Sequence, residues 1–321
     1  MAGLERMTTR LRRLLHSPET TVMPFGVLPI HAQMAQHAGY EAFEISGGMS
    51  AWWIGGTPDS GLLTQTEMVA HAARVVRSVD IPVYCDADTG YGGVLNVRRT
   101  TQEFIHAGVA GIHIEDQREP KKSGGGPGIE LVSDAEAVGR LQAAIDARDE
   151  LDPDFVIVAR TDGYGAAGGN LAEAIRRGNL YKREAGADVI FYEGLHSWDE
   201  ARTAIAETEG PAYAIVSKDA RPTPDLAEQT AMGQAMSVLR FVLPGVQEVW
   251  NLLLKAKQAG SFAPVDEYLD SVEQYRGTDF FVGHGDRFIR PTYAQIRVLE
   301  ERFLPSELQR DYTTTATDSF G

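Results

Sequence analysis

The sequence predicts an α/β fold, a (β/α)8 TIM-type barrel with a helical extension at its C-terminal end. Three observations predict it. Eight short apolar runs rich in β-branched and aromatic residues recur along the chain, segments of helical periodicity separate them, and no GxGxxG turn follows the first run. The missing glycine turn weakens the structural alternative, an open doubly wound sheet.

The strands are expected at Thr21–Phe25, Glu41–Ile45, Ile81–Asp86, Ala110–Glu115, Asp154–Arg160, Ala187–Glu193, Ala212–Ser217 and Met236–Val242. Helical spacing is clearest at Gln65–Ser78, Asp134–Ala147 and Leu171–Ala185. Three connections end in Ala-Gly just before the next strand, at 37–39, 106–108 and 184–186, where glycine signals a helix C-cap. The Leu and Arg spacing of MTTRLRRLLHS predicts a short amphipathic helix at the N-terminus. After the eighth strand, VQEVWNLLLKAKQAG, VDEYLDSVEQY and YAQIRVLEERF read as helices. The expected domains are a catalytic barrel over 1–260, a helical extension over 261–312 and a disordered tail over 313–321.

Composition narrows the function. With 43% hydrophobic and 23% charged residues, the 321-residue chain is expected to be a soluble globular protein. No apolar run reaches the ~18 residues of a membrane span, and the basic N-terminus lacks the pattern of a secretory signal, so neither a membrane nor export is expected. One cysteine, Cys85, excludes an internal disulfide and fits a reducing cytoplasm. A net charge of −15 disfavours nucleic acid as a partner, and a small anionic substrate would need a local cation.

A parallel barrel carries its catalytic groups where the strands end. Those ends are polar: Ser46-Gly47-Gly48 after strand two, Asp86 and Asp88 in CDADTG after strand three, Glu115 and Asp116 after strand four, Arg160 and Asp162 after five, Glu193 after six, Ser217 and Lys218 after seven. Residues two apart in a strand face the same way, so Asp86 and Asp88 share a face and Cys85 takes the other. Two adjacent carboxylates repel unless a proton or a cation lies between them. With Glu115 they would form an all-oxygen set suited to Mg²⁺ or Mn²⁺; the alternative is that they cap the helices that follow.

Taken together, SGG at 46–48, PDSG at 58–61, DADTGYGG at 86–93, HIEDQ at 113–117 and ARTD at 159–162 resemble the isocitrate lyase/phosphoenolpyruvate mutase superfamily, nearest its methylisocitrate lyase and carboxyphosphonoenolpyruvate mutase branch. The resemblance runs from about residue 10 to about 260. It implies an α/β barrel whose Mg²⁺ is held by Asp86, Asp88 and Glu115, partly through water, with Asp59 also lining the site. It implies that Ser46, Gly47 and Gly48 cradle a substrate carboxylate, that Arg160 pairs with a carboxylate or a developing enolate, and that Glu193 lies near the substrate. It further implies a homotetramer, a dimer of dimers, in which a C-terminal helix is exchanged between neighbours.

The stretch EDQREPKKSGGGPG at 115–128 follows strand four. In the family it is a mobile gate, and here its lysines would carry positive charge towards a dianionic substrate; a plain solvated loop is the alternative. The lyase branch has Lys-Arg-Cys-Gly-His where this chain has Lys121-Lys122-Ser123-Gly124-Gly125. A serine hydroxyl is a far weaker acid than a thiol and does not replace it unaided. Lys122 and Ser123 are therefore expected as catalytic residues beside Arg160 and Glu193, and Gly124 as a binding residue, with the proton donor unassigned. Ser217 or Lys218 stands where relatives have an asparagine, and Trp52 and Trp53 follow the SGG turn, where they would either shape the acyl pocket or pack between subunits. His113 reads as a core histidine rather than a ligand, and the other histidines, His284 among them, show no ligand spacing.

The expected function is an Mg²⁺-dependent carbon–carbon lyase acting on a small 2-hydroxy- or 2-oxo-dicarboxylate by retro-aldol cleavage or decarboxylation through an enolate. The alternatives are a C–P bond enzyme, such as a phosphonopyruvate hydrolase or phosphonomutase, and a non-catalytic binder that kept the metal site.

Overall fold

Eight strands form where the apolar runs fall: β1 (Thr21–Gly26), β2 (Phe43–Ile45), β3 (Val83–Asp86), β4 (Gly111–Glu115), β5 (Val156–Thr161), β6 (Val189–Leu195), β7 (Ala212–Val216) and β8 (Met236–Leu239). They are parallel, in the order β7-β6-β5-β4-β3-β2-β1-β8. The circle closes through a single bridge, Ala212 to Gln234. The chain is a TIM-type barrel, seen here in a computed structural model that describes residues 5–282 and 287–310. His284 and the tail at 313–321 lie outside the described residues.

Alternation along each strand sorts the side chains. Phe43, Ile45, Val83, Cys85, Ile112, Ile157, Ile190 and Tyr192 pack outward in one cluster with apolar residues of the surrounding helices, such as Met68, Phe104 and Leu141. Met23, Ala42, Tyr84, Val156, Val158, Val189, Phe191 and Tyr213 fill the barrel interior. The N-terminal helix forms over Met7–Leu15, and its Leu11, Leu14 and Leu15 join that interior cluster. Arg12 to Asp188 at 2.8 Å and Arg6 to Asp152 at 2.9 Å pin the helix there. The amphipathic spacing read in the sequence thus belongs to a barrel plug.

Helices form at Gln65–Val76, Asp134–Leu151 and Leu171–Leu180, the last continuing into a single π turn over Tyr181–Ala185. Thr64, Ser133 and Asn170 cap their N-termini by accepting from the backbone three residues on. Gly108 and Gly186 adopt φ of +84° and +82° where the expected C-caps lie. β5 starts at Val156 rather than Asp154, because Asp152 and Asp154 are engaged by Arg6, Thr8 and Thr9.

The chain divides into two compact units, Met1–Val242 and Leu243–Gly321, whereas the sequence expectation drew the line at 260. The offset is the helix Val242–Ala259. Further helices follow at Ala263–Glu273 and Tyr293–Phe303. Among the described residues of this second unit, Val249, Trp250, Leu253, Phe262, Leu269 and Phe303 are exposed.

Candidate active site

One turn above the apolar interior the inward positions become polar. Tyr84 gives way to Asp86, Val158 to Arg160 and Phe191 to Glu193. Strand pairing sets Asp86 beside His113 and Glu115 beside Arg160. These residues surround a cavity of about 290 Å³, lined also by Glu44, Ser46, Gly48, Trp52, Asp59, Ser123, Gly124 and Arg240.

Asp86 is held on several sides. Its Oδ1 accepts from the Asp88 N–H at 2.8 Å and lies 3.1 Å from His113 Nε2, while Oδ2 accepts from the Gly47 N–H at 3.2 Å. Burial opposes its ionisation, but His113, Lys121 and Arg160 outweigh burial and hold its carboxyl well below the usual range. Asp88 is bent into the left-handed region, at φ 46°, which turns its carboxylate towards Lys121 Nζ at 2.8 Å. Burial and the charge of Asp86 push Asp88 up to about 6. Burial also raises Glu115 well above an ordinary glutamate, although Arg160 and Lys121 oppose it.

Arg160 is clamped. Its Nε and Nη2 donate to both oxygens of Asp162 at 3.0 and 2.9 Å, and Nη1 lies 3.2 Å from Glu115 and 3.9 Å from Glu193. Asp162 is fixed in turn, since its N–H donates to Asp116 at 3.0 Å. Asp116 also accepts from Thr161 and Tyr181, so it braces the end of β5 from outside the cavity. The guanidinium rests 5.3 Å from the centroid of the Phe191 ring.

The 115–128 stretch lies over these groups. Its neck is tied by Gln117, whose carboxamide exchanges two 2.8 Å hydrogen bonds with the Lys122 backbone. A Cβ at Gly124 would sit 2.6 Å from Arg160 Nη2 and would overlap Glu193, so only glycine permits this approach. Ser123 and Gly124 line the cavity as expected. Lys122, expected as a catalytic residue, instead donates its Nζ to the Pro120 and Lys121 carbonyls, at 2.7 and 3.3 Å, and does not line the cavity. The buried lysine is Lys121, paired with both Asp59 and Asp88. Four acids, Glu115, Asp88, Asp86 and Asp59, favour its charge over the cost of burial.

Ser46 lines the cavity, but its Oγ accepts from Met49 N–H at 3.1 Å as the cap of the helix Gly47–Trp53. A Cβ on Gly47 would overlap Asp86, and one on Gly48 would fall 2.8 Å from Asp59, which explains the glycine pair. Trp52 lines the cavity, and Trp53 packs edge-on against His31 at 5.2 Å. Sequence reasoning passed over Glu44 and Arg240. Both carried a signal: Glu44 lies two before Ser46, and Arg240 follows Met236 and Val238 at the same spacing. Burial, then Asp86 and Glu193, pushes Glu44 up to about 8.

Whether these residues suit a divalent cation depends on their free oxygens. Among the described residues, no three acids, histidines or cysteines converge as a ready-made cage. Yet both oxygens of Glu115 and Oδ1 of Asp88 are buried without a hydrogen bond; Arg160 and Lys121 are close to them but badly directed. Orphaned buried carboxylate oxygens beside the anionic Asp86 are what a hard cation satisfies, and an ion that keeps several waters does not need a closed cage. The set fits Mg²⁺ or Mn²⁺.

The comparison with known proteins decides the family. Residues 11–240 match the family described as phosphoenolpyruvate phosphomutase. The chain belongs to that family. It is a member of the isocitrate lyase/phosphoenolpyruvate mutase superfamily, and its named relatives include lyases. It is 41% identical over 232 residues to 2,3-dimethylmalate lyase of Eubacterium barkeri, covering 71% of this chain and 78% of that protein. It is 40% identical over 215 residues to 2-methylisocitrate lyase of Halalkalibacterium halodurans, covering 67% and 69%. Among solved structures, phosphonopyruvate hydrolase in complex with oxalate and Mg++ superposes with a TM-score of 0.75 at 25% identity, covering 94% of this chain and 100% of that one.

Proposed function

We propose that this chain is a divalent-metal-dependent lyase that breaks a carbon–carbon bond in a small 2-hydroxy- or 2-oxo-dicarboxylate. The observation that carries the reading is the meeting of under-paired buried acids, Asp88 and Glu115 beside Asp86, with a clamped guanidinium, Arg160, around one cavity.

Asp86, Asp88 and Glu115 would hold the cation, Mg²⁺ or Mn²⁺, partly through water. When bound, it supplies positive charge to the substrate's carboxylate and 2-oxygen. The Gly47–Gly48 turn orients the carboxylate, with the Gly48 N–H as donor, since that of Gly47 is given to Asp86. Arg160, held rigid by Asp162, favours the negative charge that develops as the bond breaks, with no reorganisation at that moment. Retro-aldol cleavage passes the 2-hydroxyl proton to a base in the cavity as the C2–C3 bond breaks, and leaves that bond's electron pair on the departing carbon, which then takes up a proton. Decarboxylation of a 2-oxo acid needs only the second proton transfer. Burial raises Glu193 to about 7, so it carries a proton near neutrality and takes the role of the absent thiol. Ser123 orients the substrate, and the 115–128 stretch excludes water and acts as the gate.

The experiment is a substrate panel. The protein with Mg²⁺ is incubated with oxaloacetate, 2,3-dimethylmalate, 2-methylisocitrate and phosphonopyruvate while pyruvate, glyoxylate and phosphate are followed. Turnover of at least one of the first three is expected. Phosphate from phosphonopyruvate alone would favour the second reading, a C–P bond enzyme, which the likeness to phosphonopyruvate hydrolase supports. That the loop lacks the Lys-Thr-Asn pattern of the mutases counts against it. No product from any of them would contradict both readings.

We also place the protein in the cytoplasm as a homotetramer with exchanged C-terminal helices. The exposed Trp250, Leu253, Phe262 and Leu269 of the second unit support an apolar contact between copies. No helix of the described residues is long and apolar enough to cross a membrane.

A further inference from the structure

Arg160 takes its place from outside the cavity. Among the described residues its hydrogen bonds run only to the two oxygens of Asp162, at 3.0 and 2.9 Å. Glu115 and Glu193, at 3.2 and 3.9 Å, are charge neighbours without a directed hydrogen bond. An aspartate has a single carbon between backbone and carboxyl, so the backbone at 162 sets where the guanidinium stands. Asp162 does not line the cavity, and neither does Asp116, whose Oδ1 accepts from the Asp162 N–H at 3.0 Å.

Asp116 is held in turn. Its Oδ2 accepts from Thr161 Oγ1 at 2.8 Å and from the Tyr181 hydroxyl at 2.7 Å, with Arg177 Nη1 at 3.4 Å. All of these residues are buried. Tyr181 opens the π turn that follows the helix Leu171–Leu180, and such turns gather at functional sites. Its hydroxyl accepts from Arg177 Nη1 at 2.9 Å, so its own proton is directed at Asp116. Arg177 has other work, donating to Glu173 at 2.9 Å and to the Val132 carbonyl at 3.2 Å. The Tyr181 hydroxyl has no third partner among the described residues. Apolar contacts would hold this helix to the sheet without burying a carboxylate and a guanidinium; a chain of directed hydrogen bonds also fixes a position.

We propose that Tyr181 is a positioning residue for Arg160, acting through Asp116 and Asp162. The inference rests on the reading of Arg160 as the group that favours the developing negative charge. The chain runs from the Tyr181 hydroxyl to one oxygen of Asp116, from the other oxygen to the Asp162 N–H, and from the Asp162 carboxylate to both arms of the guanidinium. Loss of the hydroxyl leaves Asp116 one donor short. Asp116 then shifts towards Arg177, and the end of β5 moves with it. A guanidinium displaced by a fraction of an ångström meets an enolate less well, although its charge and its distance from solvent are unchanged.

A double-mutant cycle separates positioning through Arg160 from a general structural role. Oxalate, a planar dianion shaped like the enolate of pyruvate, is the probe, and its dissociation constant is measured by calorimetry on the full chain with excess Mg²⁺. Tyr181→Phe should weaken oxalate by about tenfold, the scale of one hydrogen bond to a charged group. In an Arg160→Lys background, where the two-point grip on Asp162 is gone, the same substitution should weaken it less than about twofold. Thr161→Val removes another donor to Asp116 and should behave in the same way; it carries the test if Tyr181→Phe does not fold. An unchanged dissociation constant in Tyr181→Phe, or a tenfold loss that persists in the Arg160→Lys background, overturns the positioning role and leaves the proposed function in place. A wild type that does not bind oxalate contradicts the proposed function and the positioning role with it.

Discussion

Lys121 Nζ lies 2.8 Å from Asp88 Oδ1 and bridges to Asp59 as well, so a loop residue supplies the cation that the buried Asp88 requires and shares it with the half-buried Asp59. The loop and the rim are therefore one electrostatic unit. Were the loop to open, Asp88 would be left buried without its cation, a cost that would oppose opening.

This separates the two adjacent lysines. Lys121→Met should lower kcat/KM by about a hundredfold or more, the scale of leaving a buried charge without its partner. Lys122→Met should change it less than about threefold, because its Nζ meets only loop carbonyls. Steady-state kinetics on the substrate that the panel identifies provide the check, and equal losses would refute the assignment of Lys121 as the working lysine.

Arg160 and Ser123 should differ in the same assay. Arg160→Lys keeps the charge but cannot span both oxygens of Asp162, and it should lower kcat by about a hundredfold. Ser123→Ala should cost less than about tenfold if the hydroxyl only orients substrate. A larger loss at Ser123 than at Arg160 would make serine the proton carrier.

Gly124→Ala tests the closed position of the loop. The added methyl would fall 2.6 Å from Arg160 Nη2 and overlap Glu193, so the loop must retreat. The expected outcome is a fall in kcat/KM of about tenfold or more with little change in melting temperature, since a loop shift leaves the barrel intact. Unchanged kinetics would show that catalysis does not need this closed position.

Stability should depend on pH through His31. Its Nδ1 accepts from the N–H groups of Val27 and Leu28, both at 3.2 Å, which only the neutral ring can do. Burial lowers its pKa from 6.5 to about 4. A depressed histidine takes up its proton on unfolding, so the stabilisation is complete above pH 6.5 and is lost as pH falls towards 4, by at most about 1.4 kcal/mol per pH unit. Urea titrations at pH 7, 6 and 5 measure this slope. In His31→Asn, which keeps an acceptor that does not titrate, the His31 share of the slope should vanish.

Much of the fold was legible because its period is local. Eight strands could be placed from their apolar alternation, and the acidic rim followed from where each strand ends. Asp86, Arg160 and Glu193 line the cavity for the same reason. What could not be read depends on geometry between elements. Lys121 and Lys122 are equivalent in sequence; the Gln117 carboxamide, which ties the Lys122 backbone, sits beside the difference in where they point. The spacing in EAFEIS puts Glu44 on the face of Ser46, but it does not show that this face also meets Asp86 and Glu193. Arg240 was hidden by an assumed longer strand, which ends at Leu239 and leaves the arginine at the rim. The Gln234 contact that joins β7 to β8 is a side-chain substitute for a ladder, and no periodicity announces it.

The central claim is that the buried acids of β3 and β4 bind a divalent ion. Crystals grown with Mn²⁺ and measured at its absorption edge test it most directly. The account predicts an anomalous peak among Asp86, Asp88 and Glu115, one that is lost in a Glu115→Gln, Asp88→Asn double variant that still crystallises. A clean map at that position in the wild type, with Mn²⁺ in large excess, would contradict it.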